Sequence, residues 1–338
     1  MIGGATQRLS LVALLLSLAP VVAFLLGLVA LDTYRLLTVK RVIGAVLIGC
    51  GAAFICYPLN TLGFADWGGE FAFFGAPVVE EIAKAAFVFY CIARNRVGFP
   101  VDAAVIGFAL GSGFSLVENL VYLYQLPAFS SPLVWLVRGL GTATMHGGTT
   151  AIVAIITVAL AARWRWAAAI PALTIGILLH GLYNSGVLPA LERTALIMVT
   201  LPGLLMAVFW QSERMLARWL HIKLDSDLEM LDKMDSGSFL ESPAGNYLAS
   251  LRDSFQPEIV TDMFCLLRLS AELSAKAKGE LLQRELGFTP AEDPERRELL
   301  REIDTLERAI GCAGRRALAP LLPPAARDQW ERMRMQQS

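Results

Sequence analysis

The sequence predicts an all-α fold: a polytopic bundle of about seven transmembrane helices over residues 1–211, then a helical cytoplasmic domain over 212–338. Three observations carry this expectation. The chain is 55% hydrophobic, above the usual share for a soluble domain. Its apolar residues fall in runs of about 20, the length that crosses a hydrocarbon core of ~30 Å. Charged residues form the complement, sparse before Trp210 and crowded from Ser212 onward.

By that ruler the spans cover residues 9–31, 42–64, 71–93, 101–126, 133–162, 167–188 and 194–210. The first run is too long for a signal-peptide core and has no clear small-x-small cleavage site before Asp32, so an uncleaved span is expected. Arg35, Lys40 and Arg41 mark the first loop, Arg94 and Arg96 the third, and Arg163 and Arg165 the fifth; loops 66–70 and 127–132 have no Lys or Arg. The positive-inside rule then puts the odd loops in the cytoplasm and the N-terminus outside, in a multi-pass protein of the plasma or inner membrane. Arg214 and Arg218 begin the cytoplasmic domain.

In that domain Met263, Leu266, Leu269 and Leu273, and later Leu299, Ile303, Leu306 and Ile310, recur at helical spacing and draw one apolar stripe each. Ser236-Gly237-Ser238 and Ser242-Pro243-Ala244-Gly245 read as a linker. No catalytic motif stands here, and a regulatory or interaction module is the expectation. A net charge of −1 excludes a nucleic-acid partner, which calls for a concentrated basic surface. The five cysteines have no CxxC or CxxH spacing, and three lie in apolar runs, which fits buried thiols rather than a disulfide framework.

Ionisable groups inside the spans carry the functional signal. Glu80, Glu81, Lys84, Glu118 and Arg138 would together cost roughly 12–18 kcal/mol in a bilayer at about 2.5–3.5 kcal/mol each, so they must pair, face the interior or line a wet cavity. In the third span either Glu80 or Glu81 can reach Lys84, at i,i+4 or i,i+3. The two glutamates point about 100° apart, so one faces the reaction cavity and the other is held by Lys84 or another helix. In the fourth span Phe114 and Glu118 share a face beside Asn119, and Glu118 needs a partner from elsewhere; Gly107 and Gly111 allow close helix approach. The fifth span sets Arg138, Thr142, His146 and Thr150 at i+4 spacing. The sixth sets Gly176, His180 and Asn184 on one face.

Two chemistries suit this set. His146, His180 and the Glu118 carboxylate form a Zn²⁺ ligand group with an open position for water, and a second glutamate serves as general base. In the metal-free version a glutamate activates water directly, while His180 and Asn184 donate to the developing oxyanion. A serine mechanism at Ser112 fits worse, since that residue lies about 240° around the helix from Glu118.

Glu80-Glu81-x-x-Lys84, Phe114-x-x-x-Glu118-Asn119, His146 and His180-x-x-x-Asn184, in this order on four successive spans, resemble the PrsW family of intramembrane proteases, related to the CAAX prenyl endopeptidases and the wider ABI group. The resemblance covers residues 71–186. It implies an endopeptidase acting on membrane-embedded protein substrates, anti-sigma-factor-like regulators among them, with the bilayer as its other partner. It assigns catalytic roles to Glu80, Glu81, Glu118, His146, His180 and Asn184. Lys84, Asn119 and Arg138 are expected to support them. CAAX enzymes typically have EExxxR and FxxxH; Lys84 and Glu118 depart from that pattern and speak against prenylated substrates. The rival from another class is an ion- or proton-coupled transporter, since buried Glu, Lys and His also build proton relays.

Overall fold

The computed structural model describes residues 11–30, 37–94, 96–97, 99–126, 131–289, 293 and 295–322, and every regular element among them is helical. Arg35, the side chains of Arg163 and Arg165, and most of the 127–132 loop lie outside the described residues. The described chain divides into two compact units, Met1–Ser212 and Glu213–Ser338.

The helices of the first unit are α1 (Leu11–Ala30), α2 (Val39–Trp67), the short α3 (Gly69–Phe73), α4 (Gly75–Ala93), α5 (Pro100–Gln125), α6 (Pro132–Leu136), α7 (Ala143–Trp164), α8 (Ala169–Asn184) and α9 (Ala190–Asp235), which continues into the second unit. Helix α5 is the axis. Every residue from Val101 to Ser115 is buried, as expected of a helix that is apolar or small on all faces. It packs between α2 and α7, with α1 against it through the stacked rings of Phe24 and Phe108 at 4.6 Å. At Gly111 the α7 backbone comes so close that an added Cβ would sit 2.2 Å from the His146 carbonyl oxygen. Glycine therefore sets the α5–α7 distance at the residue that matters most to the site.

Five segments are long and apolar enough to cross a membrane: Leu11–Ala30, Val39–Trp67, Pro100–Gln125, Pro132–Ala161 and Ala190–Ser212. The protein is thus a multi-pass membrane protein. The other two spans expected from sequence fall on α4, which carries Glu80, Glu81 and Lys84, and on α8, whose 16 residues extend only ~24 Å. The first departs from a plain apolar span through its three charges, the second through its length.

The fifth segment differs from expectation. Between α6 and α7 the backbone forms a π turn, Val137–Thr142, which widens the helix and breaks the strict i+4 stripe through Arg138, Thr142 and His146. The turn sits where Gly139 lets the Leu16 carbonyl of α1 come within 2.1 Å of where a Cβ would be.

The second unit contains the end of α9 with α10 (Pro243–Ser250), α11 (Pro257–Glu285) and α12 (Arg296–Leu318). The expected linker is more ordered than its composition suggests. Gly237 takes φ 78, a single turn Ser238–Glu241 buries Phe239, and the Ser242 hydroxyl caps α10 by accepting from the Gly245 N–H at 3.1 Å. Met234, Phe239, Met263, Leu266, Leu267, Ile303 and Ile310 form the apolar core. Within it Lys278 is 2% exposed, ion-paired to Asp227 and bonded to the Ser274 hydroxyl at 2.5 Å.

Two outcomes are expected. Lys278→Met leaves Asp227 buried without its cation and lowers stability by about 3–5 kcal/mol, whereas Lys278→Met with Asp227→Leu restores most of the loss; chemical unfolding of the full chain in detergent measures both. Gly111→Val forces α5 and α7 apart and lowers the thermal midpoint by the equivalent of roughly 1–3 kcal/mol of overpacking.

Candidate active site

Helix α4 carries the two glutamates and the lysine, all buried, and the pair divides its work by direction. Glu81 Oε1 accepts from Lys84 Nζ at 2.5 Å and from His180 Nδ1 at 2.8 Å, with the Thr149 hydroxyl at 3.4 Å. Glu80 turns the other way. Its Oε1 accepts from Asn60 Nδ2 on α2 at 2.8 Å, while its buried Oε2 has no hydrogen-bond partner among the described residues. That oxygen lies 3.9 Å from His146 Nδ1 and 3.8 Å from His180 Nε2.

The carboxylates fix the histidine tautomers. His180 donates through Nδ1 to Glu81, so the lone pair of its Nε2 faces Glu80. His146 donates through Nε2 to Glu118 Oε2 at 2.9 Å, so its Nδ1 lone pair also points inward, with Lys84 Nζ at 3.2 Å. The imidazoles meet edge to face with centroids 4.8 Å apart, and the Phe114 ring lies 5.1 Å from that of His146. Phe114, expected to share a face with Glu118, thus walls the imidazole and also faces the Lys84 ammonium at 5.0 Å.

Glu118 is held from its far side. Arg138, on the π turn, pairs with Glu118 Oε1 at 3.3 Å, lies 3.6 Å from the centre of the Tyr122 ring and donates through Nε to Asn119 Oδ1 at 3.0 Å. Asn119 Nδ2 in turn donates to the Ser17 carbonyl of α1 at 2.9 Å. A continuous chain of contacts therefore runs from the first helix through Asn119, Arg138 and Glu118 to His146.

Glu80, His146 and His180 offer ligand atoms that all lie within 4.8 Å of one another, a group able to hold a metal ion. The sequence reading put Glu118 in that set. The structure brings Glu80 there instead, because Asn60 turns one Glu80 oxygen inward while Arg138 draws Glu118 to the outer nitrogen of His146. The donors suit a divalent ion: two inward imidazole lone pairs and a carboxylate oxygen without a partner, each imidazole backed by another carboxylate. Charge points the same way. Of the three carboxylates, Glu81 is paired with Lys84 and Glu118 with Arg138, and Glu80 has neither a Lys nor an Arg partner among the described residues.

Asn184, expected to aim with His180, instead donates to the Ala72 carbonyl at 3.1 Å and ties the end of α8 to α3. Thr142, expected on the His146 face, meets the Tyr183 hydroxyl at 3.4 Å. Asn60, Thr149 and the Ser17 carbonyl were not foreseen. The one sequence signal for Asn60 is a carboxamide in an otherwise apolar span.

The site lies toward one end of the bundle. Asn60, Glu81, Glu118 and His180 stand only ~6–10 Å of helix rise from Trp67, Gly75, Gln125 and Asn184, the ends of their helices. His146 lies deeper along its own broken helix. The contacts of Gln125 with the Tyr57 hydroxyl and of Asn184 with Ala72 bring these ends together.

Comparison with known proteins agrees with this arrangement. The family model described as PrsW family intramembrane metalloprotease matches residues 32–211, more than half of the chain. No curated protein and no solved structure matches the chain. Helix α1 precedes the matched residues, although its Ser17 carbonyl is the outer anchor of the contacts behind Glu118. Four polar helices around a Glu–His–His group, on a chain matched over its bundle, make this protein a member of the PrsW family of intramembrane metalloproteases, and hence a peptidase.

Proposed function

We propose that the chain is an endopeptidase that cleaves membrane-embedded protein substrates at the Glu80–His146–His180 cluster, close to the outer face of the membrane. The observation that carries this reading is the unpartnered Glu80 Oε2 facing the inward nitrogens of both imidazoles. Glu80, His146 and His180 would hold a zinc ion; metal binding at His146 Nδ1 replaces the Lys84 contact there. Such an ion supplies Lewis-acid polarisation and a bound water of lowered pKa.

The protein's own groups do the remaining work. Glu118 and Glu81 accept the outer imidazole N–H groups, orient the rings and raise their basicity. Glu81 Oε2 is buried and has no hydrogen-bond partner among the described residues, and would serve as the acceptor for the proton of the attacking water. Lys84 holds Glu81 in place. Arg138 and Asn119 hold Glu118, and Asn184 secures α3 beside the site.

The orientation is part of the proposal. Lys40, Arg41, Arg94 and Arg96 stand at the ends of α2 and α4 opposite to the site, which assigns that side to the cytoplasm. The N-terminus and the site then face outward, with seven crossings and the second unit in the cytoplasm. Anti-sigma-factor-like regulators with an outer segment near the bilayer are the fitting substrate class. The transporter alternative finds no specific support in the geometry.

Two measurements test these roles. Glu80→Gln and the double variant His146→Ala/His180→Ala are expected to lose stoichiometric zinc and all cleavage, read by metal analysis of the purified protein and by cleavage of a reporter substrate. Zinc retained at wild-type stoichiometry in the double variant would sink the metal reading. Glu81→Gln combined with Lys84→Met, which removes both members of the ion pair and leaves an amide oxygen to accept from His180, is expected to keep zinc but lower turnover by at least about 100-fold, the size of a general-base contribution. Wild-type turnover in that variant would remove Glu81 from the base role.

A further inference from the structure

The described part of α2 carries few polar side chains within the membrane, and they use their hydrogen bonds differently. The Thr61 hydroxyl returns to the Tyr57 carbonyl of its own helix at 2.8 Å, which satisfies it locally. Tyr57 meets Gln125 near the end of α5. Asn60 alone directs its amide N–H at a carboxylate of another helix, Glu80 Oε1 at 2.8 Å. Its Oδ1 is buried and has no hydrogen-bond partner among the described residues.

A carboxamide with one end unsatisfied is an expensive residue for a membrane helix, and leucine would suit the position better on hydrophobic grounds alone. What the asparagine supplies is direction. A carboxylate beside two imidazoles could present either oxygen, or swing toward the Lys84 ammonium that already holds Glu81. One neutral donor on Oε1 fixes the rotation of the Glu80 carboxylate and leaves Oε2 turned toward His146 Nδ1 and His180 Nε2. Being neutral, the amide holds the oxygen without adding a positive charge that would compete with a metal. Asn60 does for the carboxylate ligand what Glu118 and Glu81 do for the two imidazoles.

We propose that Asn60 is a positioning residue for the metal site, acting through Glu80, so that each of the three ligand side chains is oriented by a hydrogen bond from another residue. The inference rests on the reading of Glu80 as a ligand, and the test separates the two. Full-length protein in detergent is stripped of metal and titrated with Zn²⁺ against a chromophoric chelator, and the thermal midpoint of each metal-free variant is recorded alongside. Asn60→Leu is expected to weaken zinc binding by about 10–100-fold, the usual loss when an outer partner of a ligand is removed, with little change in the metal-free midpoint. Asn60→Gln, which keeps an amide donor, is expected to recover part of the affinity, and Asn60→Ala gives a second donor-free variant should leucine perturb folding. Glu80→Ala is the control.

Loss of zinc in Glu80→Ala together with wild-type affinity in Asn60→Leu and Asn60→Ala would overturn the role of Asn60 and leave Glu80 as ligand. Wild-type affinity in Glu80→Ala would overturn both. A fall in affinity matched by an equal fall in the metal-free midpoint, with no recovery in Asn60→Gln, would reduce Asn60 to packing and overturn the proposal.

Discussion

The structure of the bundle turns on one constraint: a charge inside it must find its partner within the protein. The Lys84–Glu81 pair states the problem most sharply, since neither side chain is more than 1% exposed. Breaking such a pair strands a charge at a cost of about 3–5 kcal/mol, so the positions of both groups are tightly specified. Lys84 and Glu81 are one turn apart on α4, and the contacts of the pair with His146 on α7 and His180 on α8 fix the rotation of that helix about its own axis. Glu80 is then forced to the adjoining face, toward α2 and the histidines. The division of labour between adjacent glutamates follows from helix geometry once the lysine has chosen its partner.

A second consequence concerns the π turn. An unbroken α-helix would keep Arg138 on a line through Thr142 and His146. The wider turn moves Arg138 to the outer side of Glu118, so that Glu118 lies between the two groups and separates the positive charge from the cluster. The turn needs room, and Gly139 against the Leu16 carbonyl of α1 provides it. The first helix thus contributes backbone rather than side-chain chemistry: a surface for the π turn and a carbonyl for Asn119. Buried glycines here serve the site as much as the fold, since at Gly111 the same close approach sets the depth of His146.

These relations explain what could be read from the sequence and what could not. Glu80, Glu81, Lys84, Glu118, His146 and His180 were visible because ionisable residues in apolar runs stand out, and their order on successive spans named the family. The need of Glu118 for a partner from another helix was equally visible, and Arg138 and His146 fill it. The place of Glu80 beside the two imidazoles was not visible, because its partner is Asn60, a neutral residue on a helix without a charged partner for the site. The π turn was hidden for a different reason: its cause is an interhelical contact at Gly139, and a glycine in a membrane helix carries no sign of which neighbour it admits. For Asn184 helical spacing gives the face but not the partner, which is the Ala72 carbonyl of α3.

The polar set is best understood as two concentric layers with different electrostatic tasks. The inner layer, Glu80 with two inward imidazole nitrogens, presents lone pairs and a negative charge to a small volume. The outer layer, Asn60, Glu81 and Glu118, orients each inner group by one hydrogen bond, and the permanent cations Lys84 and Arg138 balance the outer carboxylates. Only Glu80 has no cationic side chain of its own as partner, its oxygens being bonded to an amide or left free. A carboxylate buried without a cationic partner gains most from a positive ion beside it, which is what the proposed metal would supply. Were Asn60 a lysine, the inner layer would be neutralised by the protein itself and would have little reason to bind a cation. Among the described residues of this cluster, Glu80 is thus the carboxylate left for a cation, and the proposed chemistry is expected there.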